Sequence, residues 1–238
     1  MPHPVAWTPE KVANFWEVNH GHFAKRRFSQ QVGPALRAIV ARRTGLRGKV
    51  VVDYGCGDGA LLNILRGSGA ILIGSDFKRP EGFAALPALA LAELDSPYFV
   101  SDDALGGLAG KADLVLLIEV VEHLEDAVLN QILANVRQLL APGGHLLITT
   151  PNQEDLASNT VNCPDCGCIF HRVQHVRAWS VETLTRYFAS AGLKAASVIT
   201  TDLGRVQRSL PSRLVHTLVD TLDRRKMPHL VGLFRKSA

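Results

Sequence analysis

Three groups of residues in this chain are spaced so that they could do chemistry. The first is Asp53-Tyr54-Gly55-Cys56-Gly57-Asp58-Gly59, which directly follows the apolar run Val50-Val51-Val52. Glycines at alternate positions let a chain turn tightly and lie against a ligand, because no Cβ fills that space. The spacing offers neither GxGxxG nor the Lys-Ser/Thr ending of a P-loop. Asp53 would repel a pyrophosphate, and it suits a ligand with a cationic amino group and neutral hydroxyls. The plainer reading of the segment is a tight strand-to-helix connection. About twenty residues on, a second apolar run closes in Gly74-Ser75-Asp76, an interval that places Asp76 to accept hydrogen bonds from both hydroxyls of an adenosine ribose. Asp102 and Asp103 follow a third such run, where one of them would meet an adenine exocyclic amine.

The second group is Glu119-Val-Val-Glu122-His123, after the apolar stretch Leu114 to Ile118. Three ionisable groups at a strand end are costly to bury unless they are used or solvated. To become a nucleophile, a hydroxyl needs a base, a metal that lowers its pKa, or both. Glu119, Glu122 and His123 could supply either; the alternative is that Glu122 caps the next helix and His123 packs locally. The third group is Cys163-Pro-Asp-Cys166-Gly-Cys168-Ile-Phe-His171-Arg-Val-Gln-His175. Cys163 and Cys166 have the separation that lets two thiolates face one tetrahedral ion, and His171 and His175 follow at a spacing seen in zinc sites. A structural zinc on Cys163, Cys166, His171 and His175 is therefore expected, with Cys168 to spare. A competing reading takes His175 for the active site.

These groups need a scaffold, and the alternation from Lys49 onward supplies one. Short apolar runs at Val50 to Val52, Ile71 to Ile73, Tyr98 to Val100, Leu114 to Ile118 and His145 to Thr149 read as strands. The intervening stretches Ala60 to Leu65, Ala84 to Leu94 and Ala127 to Leu140 read as helices. Such alternation marks a parallel sheet covered on both faces, whose strands are apolar on both sides. Ser180 to Ala191 is a helix with Ser180 as N-cap and Gly192 at its end. Lys194 to Thr200 and His229 to Lys236 are the last strands, with a helix expected over Pro211 to Arg225. Before the sheet, Trp7 to Arg43 reads as helical, opening on Thr8-Pro9-Glu10 and continuing in a second helix over Gln30 to Arg43. The stretch 151–179 breaks the alternation and reads as an insert over the sheet edge.

The ordered set Asp53-x-Gly55-x-Gly57-x-Gly59, Asp76, Asp113-Leu-Val and Leu140-Ala-Pro-Gly-Gly144 resembles the class I S-adenosylmethionine-dependent methyltransferases. The resemblance covers roughly Lys49 to Thr150, and His229 to Lys236 is similar to that family's seventh, antiparallel strand. It implies a Rossmann-like, doubly wound α/β fold with a mostly parallel seven-stranded sheet, and S-adenosylmethionine as cofactor. Gly55 and Gly57 would pack against its methionine part, Asp53 would lie near its amino group, and Asp76 would hold the ribose. The run Glu119-Val-Val-Glu122-His123 is similar to an element of two subfamilies, the ubiquinone-biosynthesis O-methyltransferases and the small-RNA 3′-terminal 2′-O-methyltransferases. In both, the element is associated with a divalent metal, so magnesium or manganese is a further candidate. The fuller Arg-His-x-Asp-His-x-Phe-Glu-Trp pattern of the RNA enzymes is missing, with Arg172, Gln174 and Arg177-Ala178 in its place. The insert also looks like those of methyltransferases from bacterial glycan and secondary-metabolite pathways.

Composition sets the remaining bounds. The chain has 238 residues, 47% hydrophobic and 20% charged, enough for one substantial core. No run approaches the roughly 18 apolar residues of a membrane span, and Met1 to Glu10 has no signal-peptide core, so a cytoplasmic location is the default. The net charge of +4 is mildly basic. The runs Lys25-Arg26-Arg27, Arg42-Arg43 and Arg224-Arg225-Lys226 read as solvated faces before they read as a nucleic-acid surface. The expected organisation is a helical lid over residues 1–45, carrying Trp7, Phe15, Trp16 and Phe23, and a cofactor-binding domain over 46–238. The leading functional reading is methylation of a hydroxyl on a small molecule or glycan. His175 or His123 is the base, and Glu119 the group that orients it. The alternatives are a metal-dependent 2′-O-methyltransferase of RNA termini and a non-catalytic module that binds the cofactor.

Overall fold

The structure, a computed structural model, describes residues 2–22, 28–206 and 227–236. Its centre is a sheet whose parallel part runs, in spatial order, β5 (Pro97–Phe99), β3 (Ile71–Ser75), β2 (Val50–Tyr54), β6 (Ala112–Ile118) and β7 (Leu140–Pro151). β11 (His229–Lys236) pairs antiparallel with β7, and β10 (Leu193–Thr201) antiparallel with β11. The two-residue β4 (Ala84–Ala85) lies outside β5 and makes the sheet eight-stranded rather than seven-stranded. The fold is the Rossmann-like, doubly wound α/β arrangement.

Side chains alternate between the two faces, as strand geometry requires. Val50, Val52 and Tyr54 face one core, with Val115, Leu117, Leu146 and Ile148. Val51, Leu72, Leu114, Leu116 and Leu147 face the other. The first core is closed by α4 (Asp126–Leu139) through Leu129, Leu133 and Val136, and by α5 (Val181–Ser190) through Leu184 and Phe188. The second is closed by α2 (Phe28–Arg43) through Val32, Ala35, Leu36 and Val40, and by α3 (Ala60–Leu65) through Leu61, Leu62 and Leu65. Because both faces are covered, polar side chains gather at the strand ends. Asp113 fixes one such end, accepting hydrogen bonds from the Val50 amide at 2.9 Å and from Lys49 Nζ at 3.0 Å.

Most elements fall where the residue pattern places them. α5 is held by a capping box in which Ser180 Oγ accepts from the Thr183 amide and Thr183 Oγ1 from the Ser180 amide, while Gly192 follows in the left-handed region at φ 75°. The helix expected over Ala84 to Leu94 does not form; the segment holds β4 and a single 3₁₀ turn at Leu89–Leu91. Pro87 would interrupt a helix there, and Leu91 and Leu94 are exposed, so no apolar stripe drives one. The helix expected over Pro211 to Arg225, Phe23 and the basic runs at 25–27 and 224–226 lie outside the described residues.

The insert is structured. β8 (Thr160–Asn162) and β9 (Cys168–His171) form a hairpin, and β1 (His3–Pro4) pairs parallel with β9 to complete a three-stranded sheet. A bridge between Asn152 and Trp179 closes its base. The Val176 amide donates to the Glu122 carbonyl, which ties its last part to the turn after β6. α1 (Pro9–His22) packs on this sheet, with Trp7 and Phe15 edge-on to Phe170. Among the described residues no helix is long and apolar enough to cross a membrane.

Phe188 is fully buried, 4.9 Å from the Phe234 ring, and joins α5 to the antiparallel end of the sheet. Phe188→Ala is expected to lower the unfolding free energy by about 3–5 kcal/mol. Urea denaturation at unchanged m-value measures this, and a loss below about 1 kcal/mol would contradict the packing described.

Candidate functional site

The carboxyl end of β2 passes into the glycine loop. The Gly55 and Cys56 amides donate to the Ser75 carbonyl at 2.8 and 3.1 Å, which ties the loop to the end of β3. The Gly57 amide donates to Asp76 Oδ2 at 2.8 Å, and the Phe77 amide to Asp76 Oδ1 at 2.7 Å. Asp76 thus shapes the loop as well as facing the cleft. Gly55 sits at φ 87°, and a Cβ there would come within 2.8 Å of Val120 Cγ2. Gly57, at φ 56°, would meet no atom within 4 Å, so its open side is free for a ligand to approach. Asp53 is 2% exposed. Burial first, then the neighbouring charges of Asp76 and Asp58, push its carboxyl up to about 7.

Two adjoining clefts open at this edge. One, of about 580 Å³, is lined by Gly55, Gly57, Asp76, Phe77, Glu119 and Trp16 among others. The other, of about 1010 Å³, shares Gly55, Gly57, Glu119 and Trp16 and adds Glu122 and His175, with His123 common to both. Asp102 and Asp103 are exposed and line neither cleft; Asp102 accepts the Tyr54 hydroxyl hydrogen bond.

Past the end of β6 the chain turns through Glu119, which has a positive φ of 54° that non-glycine residues rarely adopt. Glu119 Oε1 accepts from Thr149 Oγ1 and Glu122 Oε2 from Thr150 Oγ1, both at 2.9 Å. The hydroxyls come from β7, so two adjacent strand ends hold the two acids. Burial drives the Glu119 carboxyl up to about 7. Burial, followed by the Glu119 charge, raises that of Glu122 well above the usual range. Glu122 Oε1 is buried and accepts no hydrogen bond, with His123 Nε2 at 3.9 Å and His175 Nε2 at 4.0 Å. His123 stays neutral, since burial and then His175 lower its pKa to about 3.

The insert brings the remaining groups. Glu154 Oε2 accepts a hydrogen bond from His175 Nδ1, and Glu154 Oε1 lies 3.4 Å from His171 Nε2. His171 Nδ1 accepts from the His175 amide at 3.2 Å, so its proton sits on Nε2, toward Glu154. The two imidazoles stack, 4.6 Å apart. With Nδ1 on Glu154, His175 turns Nε2 toward Glu122 and the cleft. Gln174, at φ 61°, donates from Nε2 to the His123 carbonyl at 2.9 Å and accepts from Trp16 Nε1 at 3.0 Å. It links α1 to the acid-histidine run. Glu154 and Gln174 carry no motif, and only the fold brings them to the site.

Among the described residues, two groups bring at least three potential metal ligands within 4.8 Å of one another: Glu122, His123 and His175, and Glu154, His171 and His175. Neither contains a cysteine, so the expected set of Cys163, Cys166, His171 and His175 is not gathered. Strand alternation is the reason. Cys163 pairs with Cys168 across the hairpin, and His171, three residues from Cys168 on β9, points to the opposite face.

Comparison with known proteins fits this geometry. The family model described as a methyltransferase domain matches residues 23–198. The ubiquinone biosynthesis O-methyltransferase of Vibrio parahaemolyticus is 31% identical over 147 residues, covering 60% of this chain and 60% of that protein. The enzyme of the same name from Aeromonas salmonicida is 31% identical over 151 residues, 62% and 61% of the two chains. This chain thus matches about 60% of the length of these curated relatives. Among solved structures, the Burkholderia thailandensis 1,6-didemethyltoxoflavin-N1-methyltransferase superposes with a TM-score of 0.64 at 19% identity, covering 100% of this chain and 94% of that one. A methyltransferase from Haloferax volcanii, in complex with the Trm112 activator, gives 0.60 at 17% identity, with 98% and 100% covered. At these identities the likeness shows the fold alone.

Asp53 generates a pH-dependent expectation. Its carboxyl is half neutral near pH 7 in the ligand-free protein, whereas a cationic amino group favours the carboxylate. Affinity for S-adenosylhomocysteine should therefore rise from about pH 5.5 to 7 and then level off. Asp53→Asn should weaken binding roughly 10- to 100-fold and flatten that rise, since a hydrogen bond to a charged group contributes about 1.5–3 kcal/mol. Calorimetric titration across the range checks both; an unchanged affinity in the variant would remove Asp53 from the cofactor site.

Proposed function

The chain belongs to the methyltransferase-domain family, and we propose that it is an S-adenosylmethionine-dependent methyltransferase of a hydroxyl on a small molecule or glycan, with His175 as general base. The observation that carries this reading is the hydrogen bond from His175 Nδ1 to Glu154, which leaves Nε2 bare at the cleft wall. The oxygen-methylating relatives from Vibrio and Aeromonas support a hydroxyl acceptor.

The residues fit the cofactor. Gly57 leaves open space where a Cβ would stand, and Asp53 offers a buried carboxylate that a cationic amino group would stabilise. When bound, S-adenosylmethionine supplies a methyl group on a cationic sulfur, open to in-line attack. Asp76, just past the end of β3, would hold the ribose hydroxyls. His175 Nε2 takes the proton of the acceptor hydroxyl as its oxygen becomes the nucleophile, and Glu154 stabilises the resulting imidazolium through Nδ1. His123 is a poorer base, because a group with a pKa near 3 has little affinity for the proton. It packs edge-on against Trp16 and His175 and shapes the cleft. Glu119 orients the site from the turn after β6. α1 is the lid, with Trp16 over both clefts.

A second reading adds a divalent cation, favoured by the unpartnered Glu122 Oε1 facing His123 and His175. Those three residues would hold magnesium or manganese, which would lower the pKa of the acceptor hydroxyl. Such a metal also belongs to the 2′-O-methyltransferase reading, for which RNA oligomers would bind in a salt-sensitive way.

The direct test is methyl transfer to a panel of phenols, catechols and glycans, with the methylated atom identified by mass spectrometry and NMR. An O-methyl product is expected. His175→Ala should lower kcat by about 10²- to 10⁴-fold, and Glu154→Gln should lower it and displace the acid limb of the pH–rate profile. An N-methyl product, or full activity in His175→Ala, would overturn the reading. Loss of activity on chelation, restored by magnesium or manganese, would select the metal-assisted form.

A further inference from the structure

The three cysteines of the insert line neither cleft, and the strand register brings them a partner from elsewhere in the chain. β1 pairs with β9 so that His3 stands beside Cys168, and partners in register present their side chains to the same face. His3 Nε2 and Cys168 Sγ are 3.3 Å apart. On the other side of β9, the hairpin register runs Thr160 to His171, Val161 to Phe170 and Asn162 to Ile169, and its continuation sets Cys163 beside Cys168. The Cys163 amide donates to the Cys168 carbonyl at 2.8 Å, which confirms that continuation. His3, Cys168 and Cys163 therefore form a row across three strands. Cys166 joins them from the turn, where the Gly167 amide donates to the Cys163 carbonyl at 2.9 Å and Gly167 adopts a left-handed φ of 74°.

We propose that His3, Cys163, Cys166 and Cys168 form a tetrahedral zinc site that clasps β1 onto the β8–β9 hairpin. Three thiolates and one imidazole are a ligand set that structural zinc accepts, and two ligands of one such ion, one sulfur and one nitrogen, lie about 3.5 Å apart. The observed 3.3 Å between His3 and Cys168 is already close to that separation. The sulfurs of Cys163 and Cys166 have still to close on the ion, and a single side-chain torsion moves each of them. Cys166 is exposed and Cys163 and Cys168 are half-buried, and no three of the four ligand atoms yet lie within 4.8 Å of one another. Each coordinating thiol releases a proton to solvent as zinc binds, so affinity rises as pH rises. His171 and His175 take no part, being engaged with Glu154 on the opposite face. The clasp would fix Trp7, four residues after His3, against Phe15 and Phe170 and so seat α1 beside the cleft.

The test uses the full chain without an N-terminal tag, purified with its thiols reduced, equilibrated with zinc and freed of excess ion. Elemental mass spectrometry should find about one zinc per chain. His3→Ala and Cys168→Ser should each lose more than half of it, His3→Cys should restore it, and His171→Ala should keep it. Cobalt in place of zinc should give a thiolate-to-metal absorption band that disappears in Cys163→Ser. Added zinc should raise the melting temperature of the wild type and leave that of His3→Ala unchanged. Absence of zinc from the reduced wild-type protein overturns the site. So does zinc that survives both His3→Ala and Cys168→Ser, or that is lost in His171→Ala but not in His3→Ala.

Discussion

Four carboxyl groups, Asp53, Glu119, Glu122 and Glu154, are held around the carboxyl ends of three adjacent parallel strands, and three of them are driven toward neutrality by burial. Parallel strands all end on the same edge, so the acids at the ends of β2 and β6 necessarily come close together. Asp53 is buried and lines neither cleft, whereas the three glutamates have named partners. Thr149 and Thr150 bind Glu119 and Glu122, and histidines stand beside Glu122 and Glu154. A site that crowds unionised acids around an open cleft favours ligands that bring a positive charge or a proton to be moved.

The histidines are differentiated by the same logic. His123 is half-buried, edge-on to Trp16, and its lowered pKa keeps it neutral. His171 has its proton fixed on the side of Glu154, and burial with the neighbouring His175 lowers its pKa. His175 alone has one nitrogen committed to a carboxylate and the other turned to the cleft. One carboxylate thus meets two stacked imidazoles at different nitrogens, Nε2 of His171 and Nδ1 of His175.

The insert ties these features to the N-terminal segment. Its base is closed by the Asn152–Trp179 bridge, and its middle carries His171, Gln174 and His175 into the site. Its hairpin receives β1 at the edge and α1 on its face. A single stretch between β7 and α5 therefore positions both the candidate base and the helix that covers the cleft.

The sequence by itself determined the sheet and its cofactor edge. The strands at Val50, Ile71, Leu114 and His229, the capped helix after Ser180 and the glycine loop after Asp53 are fixed by local patterns: apolar runs, a capping box, and positions that need a positive φ. These act over a few residues and are visible one segment at a time. Tertiary structure alone decided the rest. Pro87 and the exposure of Leu91 denied a helix whose composition suggested one. Glu154 joins His175 across 21 residues and Trp16 joins Gln174 across 158, so neither pairing leaves a trace in local spacing. The spacing of Cys163, Cys166, His171 and His175 suggested a single metal site, yet alternation along β9 sends His171 to one face and Cys168 to the other. Spacing along a chain states which residues can be neighbours; the register of the strands that carry them decides which faces they share.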